Sequence, residues 1–182
     1  TAKLLGIEFP GGPQIEILAK KGDPNKYNLP KPIFNKGGCN LSFAGLKTAV
    51  LRIARDIKNN QEKFDLAASF QKTIEEILYQ KTKIAFKDFE KQINTPKKYF
   101  VVAGGVAANK KIRSMLINLC KKKNYQSIFP PINLCGDNAA MIAMVGLERY
   151  KLKSFSQLDH PAKPRWALDE DAIFLKGSGI KF

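Results

Sequence analysis

Histidine is almost missing from this 182-residue sequence: the single one, His160, lies in the proline-bearing segment DHPAKPRW near the end. A serine or cysteine hydrolase of the usual kind needs a histidine base held by an acid, and a catalytic zinc usually takes several histidines. Neither is readily built from this chain, and the helical HExxH pattern of zinc peptidases does not occur in it. Cysteine is sparse too. Cys39, Cys120 and Cys135 are odd in number and share no CxxC spacing, so they read as reduced thiols, not as a disulfide framework or a zinc site. No run approaches the roughly 20 apolar residues of a membrane span. The opening TAKLLGIEFPGG lacks the charged-then-apolar layout of a signal peptide, so no membrane partner and a cytoplasmic location are expected.

Carboxylates are missing from one long stretch. From Lys91 through Gly136 stand nine lysines or arginines, Lys91 included, and no acid, and the stretch ends at Asp137. The formal charge of +15 predicts attraction to a polyanion, because each neutralised phosphate releases condensed counterions. Nucleic acid is the favoured partner class; the alternative is a merely basic surface. The 44% hydrophobic content is that of an ordinary domain with one core.

Ala2, Leu4 and Leu5 read as the end of an apolar helix without its own start, which predicts that the natural protein begins earlier. Pro13 is placed to open a helix carrying Ile15, Ile17 and Leu18, and the proline- and lysine-bearing stretch 22–37 reads as a loop. Asn40 to Ala44 is a short strand candidate, followed through Gly45 by a helix with the stripe Leu46, Ala49, Val50, Ile53 and Ile57. A helical region, in one piece or two, is predicted from Phe64 to Gln92. Tyr99 to Ala103 reads as a buried strand, Asn109 to Lys122 as a helix, Ser127 to Pro130 as a strand and Asp137 to Tyr150 as a helix. The alternation predicts an α/β class with helices on a largely parallel sheet.

Three places could carry chemistry. In VVAGGVAANKKIR, Val101 to Arg113, a strand runs through Gly104-Gly105 into a helix entered by Asn109. Glycines let a ligand approach the backbone and free amides at a helix start favour anions, but Asn109 could equally be a plain N-cap. In CGDNAAMIA, Asp137 could ligate a hard cation or cap a helix. Ser42 and Lys47 in NLSFAGLKTAV lack a third partner for nucleophilic work and read as a strand-to-helix junction.

The runs KLLGIEFPGGPQIE, NLSFAGLKTAV, DLAASFQ at Asp65 to Gln71, VVAGGVAANKKIR, CGDNAAMIA and PAKPRWALDE together resemble the TsaD family of tRNA threonylcarbamoyladenosine synthases, historically labelled O-sialoglycoprotein endopeptidases. The resemblance covers residues 1–170 as the carboxyl-terminal domain of a ribonuclease H-like, actin-like ATPase (ASKHA) fold, and leaves 171–182 as an unmatched tail. It implies transfer of threonylcarbamoyl from threonylcarbamoyl-adenylate to the adenosine beside the anticodon of tRNA. It further implies that Asp137 is a metal ligand, that Asn109 and Gly104-Gly105 contact the nucleotide, and that Gly12 lines the same pocket. One divalent metal, iron in the family, and TsaB- and TsaE-like partner proteins follow by the same route. No catalytic side chain is assigned in this chain. The family's HxxxH histidines, its Ser-Gly-Gly-His phosphate loop and an acidic nucleotide contact belong to an earlier portion, so the chain reads as a carboxyl-terminal half that is inactive by itself. Asn40, Leu41 and Ala44 also replace the acid, Phe and Ser more usual around the family's SFSGLKT motif. The alternative reading, from a different class, is a non-catalytic basic module that binds RNA or protein.

Overall fold

Gly6 turns the chain out of a single 3-10 turn, Ala2–Leu5, in the left-handed conformation that glycine tolerates (φ 69). The expected end of a longer helix is thus one short turn, with Leu5 buried. Helix α1 then spans Gly11–Ala19, so Pro13 stands in its first turn, where a missing N–H costs nothing. Helix α2 covers Leu46–Asp56 and begins from Gly45 at φ 75. Asn40 to Ala44 forms no strand: no partner strand pairs with it among the described residues, and Leu41 and Phe43 are exposed.

Helix α3, Asn60–Gln92, is one uninterrupted helix of 33 residues, about 50 Å long at 1.5 Å per residue. It starts earlier than its apolar stripe because Asn59 caps it, its side chain accepting from the Glu62 N–H at 2.9 Å, while Glu62 accepts from the Lys58 N–H at 2.7 Å. Near its start, Leu66 and Ala67 join Leu5, Ile15, Leu46 and Val50 in a core cluster. Near its end, Phe86 joins Leu119, Cys120 and Tyr125 in a second. Val50, Leu66 and Ile77 are fully buried, each contributing about 1.5–3 kcal/mol of burial free energy.

Strand β1, Tyr99–Val101, pairs in parallel with β2, Gln126–Ile128, and helix α4, Lys110–Lys122, is the crossover between them. This small βαβ unit bears out the α/β class. The expectation that β1 is buried on both faces fails: Tyr99 is 50% and Val101 63% exposed, because β2 is its one neighbour among the described residues and one face stays uncovered. Phe100 points inward, edge-on to Phe86 at 5.0 Å, and Tyr125 stacks on Phe86 at 3.8 Å.

The structure is a computed structural model and describes residues 1–159, 161 and 162. His160 and the expected tail at 171–182 lie outside the described residues. The chain divides into a first unit, Thr1–Asn138, and a second beginning at Ala139. Helix α5, Ala139–Lys151, belongs to the second; it starts two residues later than expected from Asp137. No described helix is long and apolar enough to cross a membrane.

Candidate functional site

The segment DLAASFQ sits on the first half of α3, and its polar residues face the chain that folds over them. Asp65, 7% exposed, accepts from the Asp23 N–H and from Gln61 Nε2, both at 2.8 Å. One turn later Ser69 accepts from the Tyr27 N–H at 3.1 Å and donates to the Asp23 carbonyl at 3.3 Å. The i, i+4 spacing places both on one face, and together they pin the loop after α1 to α3.

Gln71, two residues on, reaches a different element. Its Oε1 accepts from Asn109 Nδ2 at 3.0 Å, while Asn109 Oδ1 accepts from the Ile112 N–H at 3.0 Å. Asn109 is therefore the N-cap of α4, and its amide orientation is fixed at both ends. One Nδ2 hydrogen and one Oδ1 lone pair are left for anything that approaches from outside.

Glu16 of α1 also reaches the start of α4, its Oε1 accepting from the Lys110 N–H at 3.0 Å. The amides expected to be free for an anion at this helix start are thus partly occupied, one by Glu16 and one by the Asn109 cap. The same contact brings α1, whose first turn holds Gly12, to the entrance of α4. Gly104 has φ 90, which disfavours any side chain, and a Cβ at Gly12, Gly104 or Gly105 would meet no atom within 4 Å. Internal packing does not demand glycine at Gly12 or Gly105; the space beside them is open.

Asp137 is exposed, and its carboxylate has no hydrogen-bond or ion-pair partner among the described residues of the first unit. As a hard oxygen donor it suits one coordination position of a divalent ion. It cannot make a metal centre alone, and among the described residues no three His, Cys, Asp or Glu side chains gather to hold a metal. Ser42 hydrogen-bonds the Ala44 N–H at 3.3 Å, a local turn contact that agrees with its structural reading. All three cysteines are free thiols, with Cys39 exposed and Cys120 and Cys135 buried.

Sequence reasoning passed over Gln71, Glu16 and Arg113. Gln71 has one available signal, its place at the end of the DLAASFQ run; Glu16 lies one turn beyond Gly12; Arg113 is one of the nine cations of the acid-free stretch, although carbonyl groups engage it.

The family model described as TsaD, tRNA N6-adenosine threonylcarbamoyltransferase, matches residues 1–144. The chain belongs to the TsaD family. It is similar to the tRNA N6-adenosine threonylcarbamoyltransferase of Pelagibacter ubique, at 76% identity over 181 residues, covering 100% of this chain and 51% of that protein. The proteins of that name from Rickettsia rickettsii (strain Sheila Smith) and Rickettsia bellii are 52% and 51% identical, each alignment covering 93% of this chain and 50% of the relative. The chain thus spans about half the length of the curated relatives it matches. For a TsaD-family chain, the motif runs that suggested the kinship now have distinct structural roles: DLAASFQ binds the loop after α1 and Asn109, GGVAAN turns the chain into α4, and CGDN presents an exposed acid.

Proposed function

We propose that this chain is the carboxyl-terminal part of a tRNA N6-adenosine threonylcarbamoyltransferase with an ASKHA fold, acting in the cytoplasm. Together with a portion outside this chain it would take threonylcarbamoyl-adenylate as donor and the adenosine beside the anticodon as acceptor. The observation that supports the reading is the contact of Glu16 with the Lys110 N–H, which brings α1 to the start of α4, where Asn109 caps the helix just after the Gly104-Gly105 turn.

The chain's own residues would do three things. Gly12 and the glycine turn admit the flat adenosine close to the backbone, where a Cβ would intrude. Asn109, held by Gln71, offers its remaining amide hydrogen and lone pair to the nucleotide. Asp137 supplies one oxygen ligand to a divalent metal, iron by family resemblance, whose other ligands come from outside this chain. Such an ion would supply Lewis-acid polarisation of the acyl carbonyl while the adenosine amine forms the new carbon–nitrogen bond and AMP departs. Lysines between Lys97 and Lys123 would hold tRNA phosphates, and TsaB- and TsaE-like proteins would be partners. The isolated chain is expected to transfer nothing.

The test is Asp137→Ala in the full-length protein. Transfer to tRNA is expected to disappear and bound metal to fall below one per subunit, with cooperative unfolding kept, since a surface ligand and no core volume is removed. Persisting transfer with unchanged metal content would sink the ligand assignment.

A further inference from the structure

Two stretches of the first unit must stay in register if Asp137 is to serve a nucleotide seated at the glycine turn: the 3-10 turn Gly105–Ala108 and the segment from Pro130 to Asp137. Between them stands Arg113. Its Nε donates to the Ala107 carbonyl at 3.0 Å, and its Nη2 donates to the Pro130 carbonyl at 3.0 Å and to Cys135 Sγ at 3.4 Å. The guanidinium carbon lies 4.8 Å from the centre of the Phe129 ring. A planar fork can bridge two carbonyls at fixed spacing, which a lysine's single ammonium cannot reproduce.

Each anchor of this fork is itself held. Ala107 is 1% exposed, and its N–H donates to the Gly104 carbonyl at 2.9 Å. Cys135 is 3% exposed; its thiol lies 3.5 Å from the Pro131 carbonyl and its N–H donates to the Ile132 carbonyl at 3.2 Å. Asn138 ties the next residues back, its Nδ2 donating to the Gly136 carbonyl at 2.9 Å and the Leu134 carbonyl at 3.3 Å. Asp137 therefore stands between two restrained residues, and the first of these touches Arg113.

We propose that Arg113 is a positioning residue: it clasps the Cys135–Asp137 segment to the glycine turn and so sets where the Asp137 carboxylate stands relative to the nucleotide. Its charge is turned to carbonyls and a ring, so it is not a phosphate contact for tRNA. The catalytic consequence rests on the reading of Asp137 as a metal ligand; the clasp itself does not.

The experiment uses Arg113→Lys and Arg113→Gln in the full-length protein, with thiol alkylation by iodoacetamide followed residue by residue in mass spectrometry. Cys135 is expected to react about tenfold faster in both variants, the shift in local opening that loss of one charge-assisted hydrogen bond gives. Cys120, in the α4 core, is expected to stay protected, and Cys39 serves as the exposed reference. In turnover, kcat is expected to fall by roughly 10²-fold, the effect of misplacing a reacting group by about an ångström, with the KM for tRNA unchanged within twofold. Cys135 labelling at the wild-type rate would overturn the clasp, as would Cys120 and Cys135 loosening together, which would mark a general stabiliser. A rise in KM for tRNA with kcat intact would also overturn it, by making Arg113 an RNA contact. The two ideas fail separately: full transfer by Asp137→Ala removes the metal reading, while the alkylation pattern still decides the clasp. Should Arg113→Gln not fold, Arg113→Lys keeps the charge and the ring contact and carries the same readouts.

Discussion

Gln71 shows how a side chain that need not touch a ligand can decide what a neighbour presents to it. Its side-chain oxygen accepts from Asn109, which in turn caps α4. The two amides form a directed pair, and that of Asn109 has one orientation compatible with both partners. In Gln71→Leu the Asn109 Nδ2 loses its buried acceptor and the cap can turn. The expected outcome is a loss of about 1–3 kcal/mol in unfolding free energy, read by denaturant melts, and, if Asn109 meets the nucleotide as proposed, about tenfold weaker nucleotide binding by the full-length protein. Glu75 provides a pH test. Burial pushes its carboxyl above the ordinary range, against the opposing pull of Lys111 and Gln71. The native state then binds this proton more tightly than the unfolded chain does. Stability from this group is present below the unfolded-state pKa and is lost as pH rises through the raised native value. Glu75→Gln is expected to flatten that part of the melting-temperature profile and to melt no lower than the parent at neutral pH. A variant profile that keeps the parent's slope would show that Glu75 is not its source.

At the level of elements, the chain's periodicities were mostly legible, and the departures share a cause. The helical region expected from Phe64 to Gln92 marks most of α3, but its start is hidden because a cap is written in polar residues, Asn59 and Glu62, outside the apolar pattern. The strand expected at Asn40 to Ala44 did not form because strand character needs a partner, which the local sequence does not reveal. β1 read as buried because its run is apolar throughout, yet Tyr99 and Val101 face outward on a sheet of two strands. For the candidate site, the glycine turn, Asn109 and Asp137 stand out as motif positions, whereas the hydrogen bonds of Gln71 and Glu16 span 38 and 94 residues of sequence. Contacts at such separations leave no periodic trace. Gly22 is a further case. A Cβ there would lie 2.1 Å from the Phe64 carbonyl oxygen and 2.5 Å from the Asp65 nitrogen, so only glycine lets the loop meet α3 where Asp65 and Ser69 bind it. Gly22→Ala is expected to cost about 1–3 kcal/mol and to expose the loop around Asp23 to proteolysis. Unchanged stability and cleavage would mean that this loop is not pinned as described.

On the scale of the whole molecule, the charge of +15 is not spread evenly in effect, because some cations are already engaged. Lys98 is paired with Glu90 at 2.8 Å and holds that carboxyl below its ordinary range. Arg113 is turned to carbonyls. By contrast Lys97, Lys121, Lys122 and Lys123 are exposed and form no ion pair among the described residues. Lys97 lines a cavity of about 300 Å³ with Pro96, Lys98, Tyr99, Asn124 and Gln126, next in sequence to the lysines that end α4. The same lysines favour the negative end of that helix, so a purely structural role competes with RNA binding. Salt dependence separates the two. If these four cations meet tRNA phosphates, replacing them together by glutamine should lower the slope of log affinity against log salt by about 0.7–0.9 per contact removed. With the substitutions made in the full-length protein, single-turnover transfer at saturating tRNA should remain, since none of them lies among the residues proposed for the nucleotide. If the slope is unchanged and only the melting temperature falls, the lysines serve the helix and are not contacts for RNA phosphates.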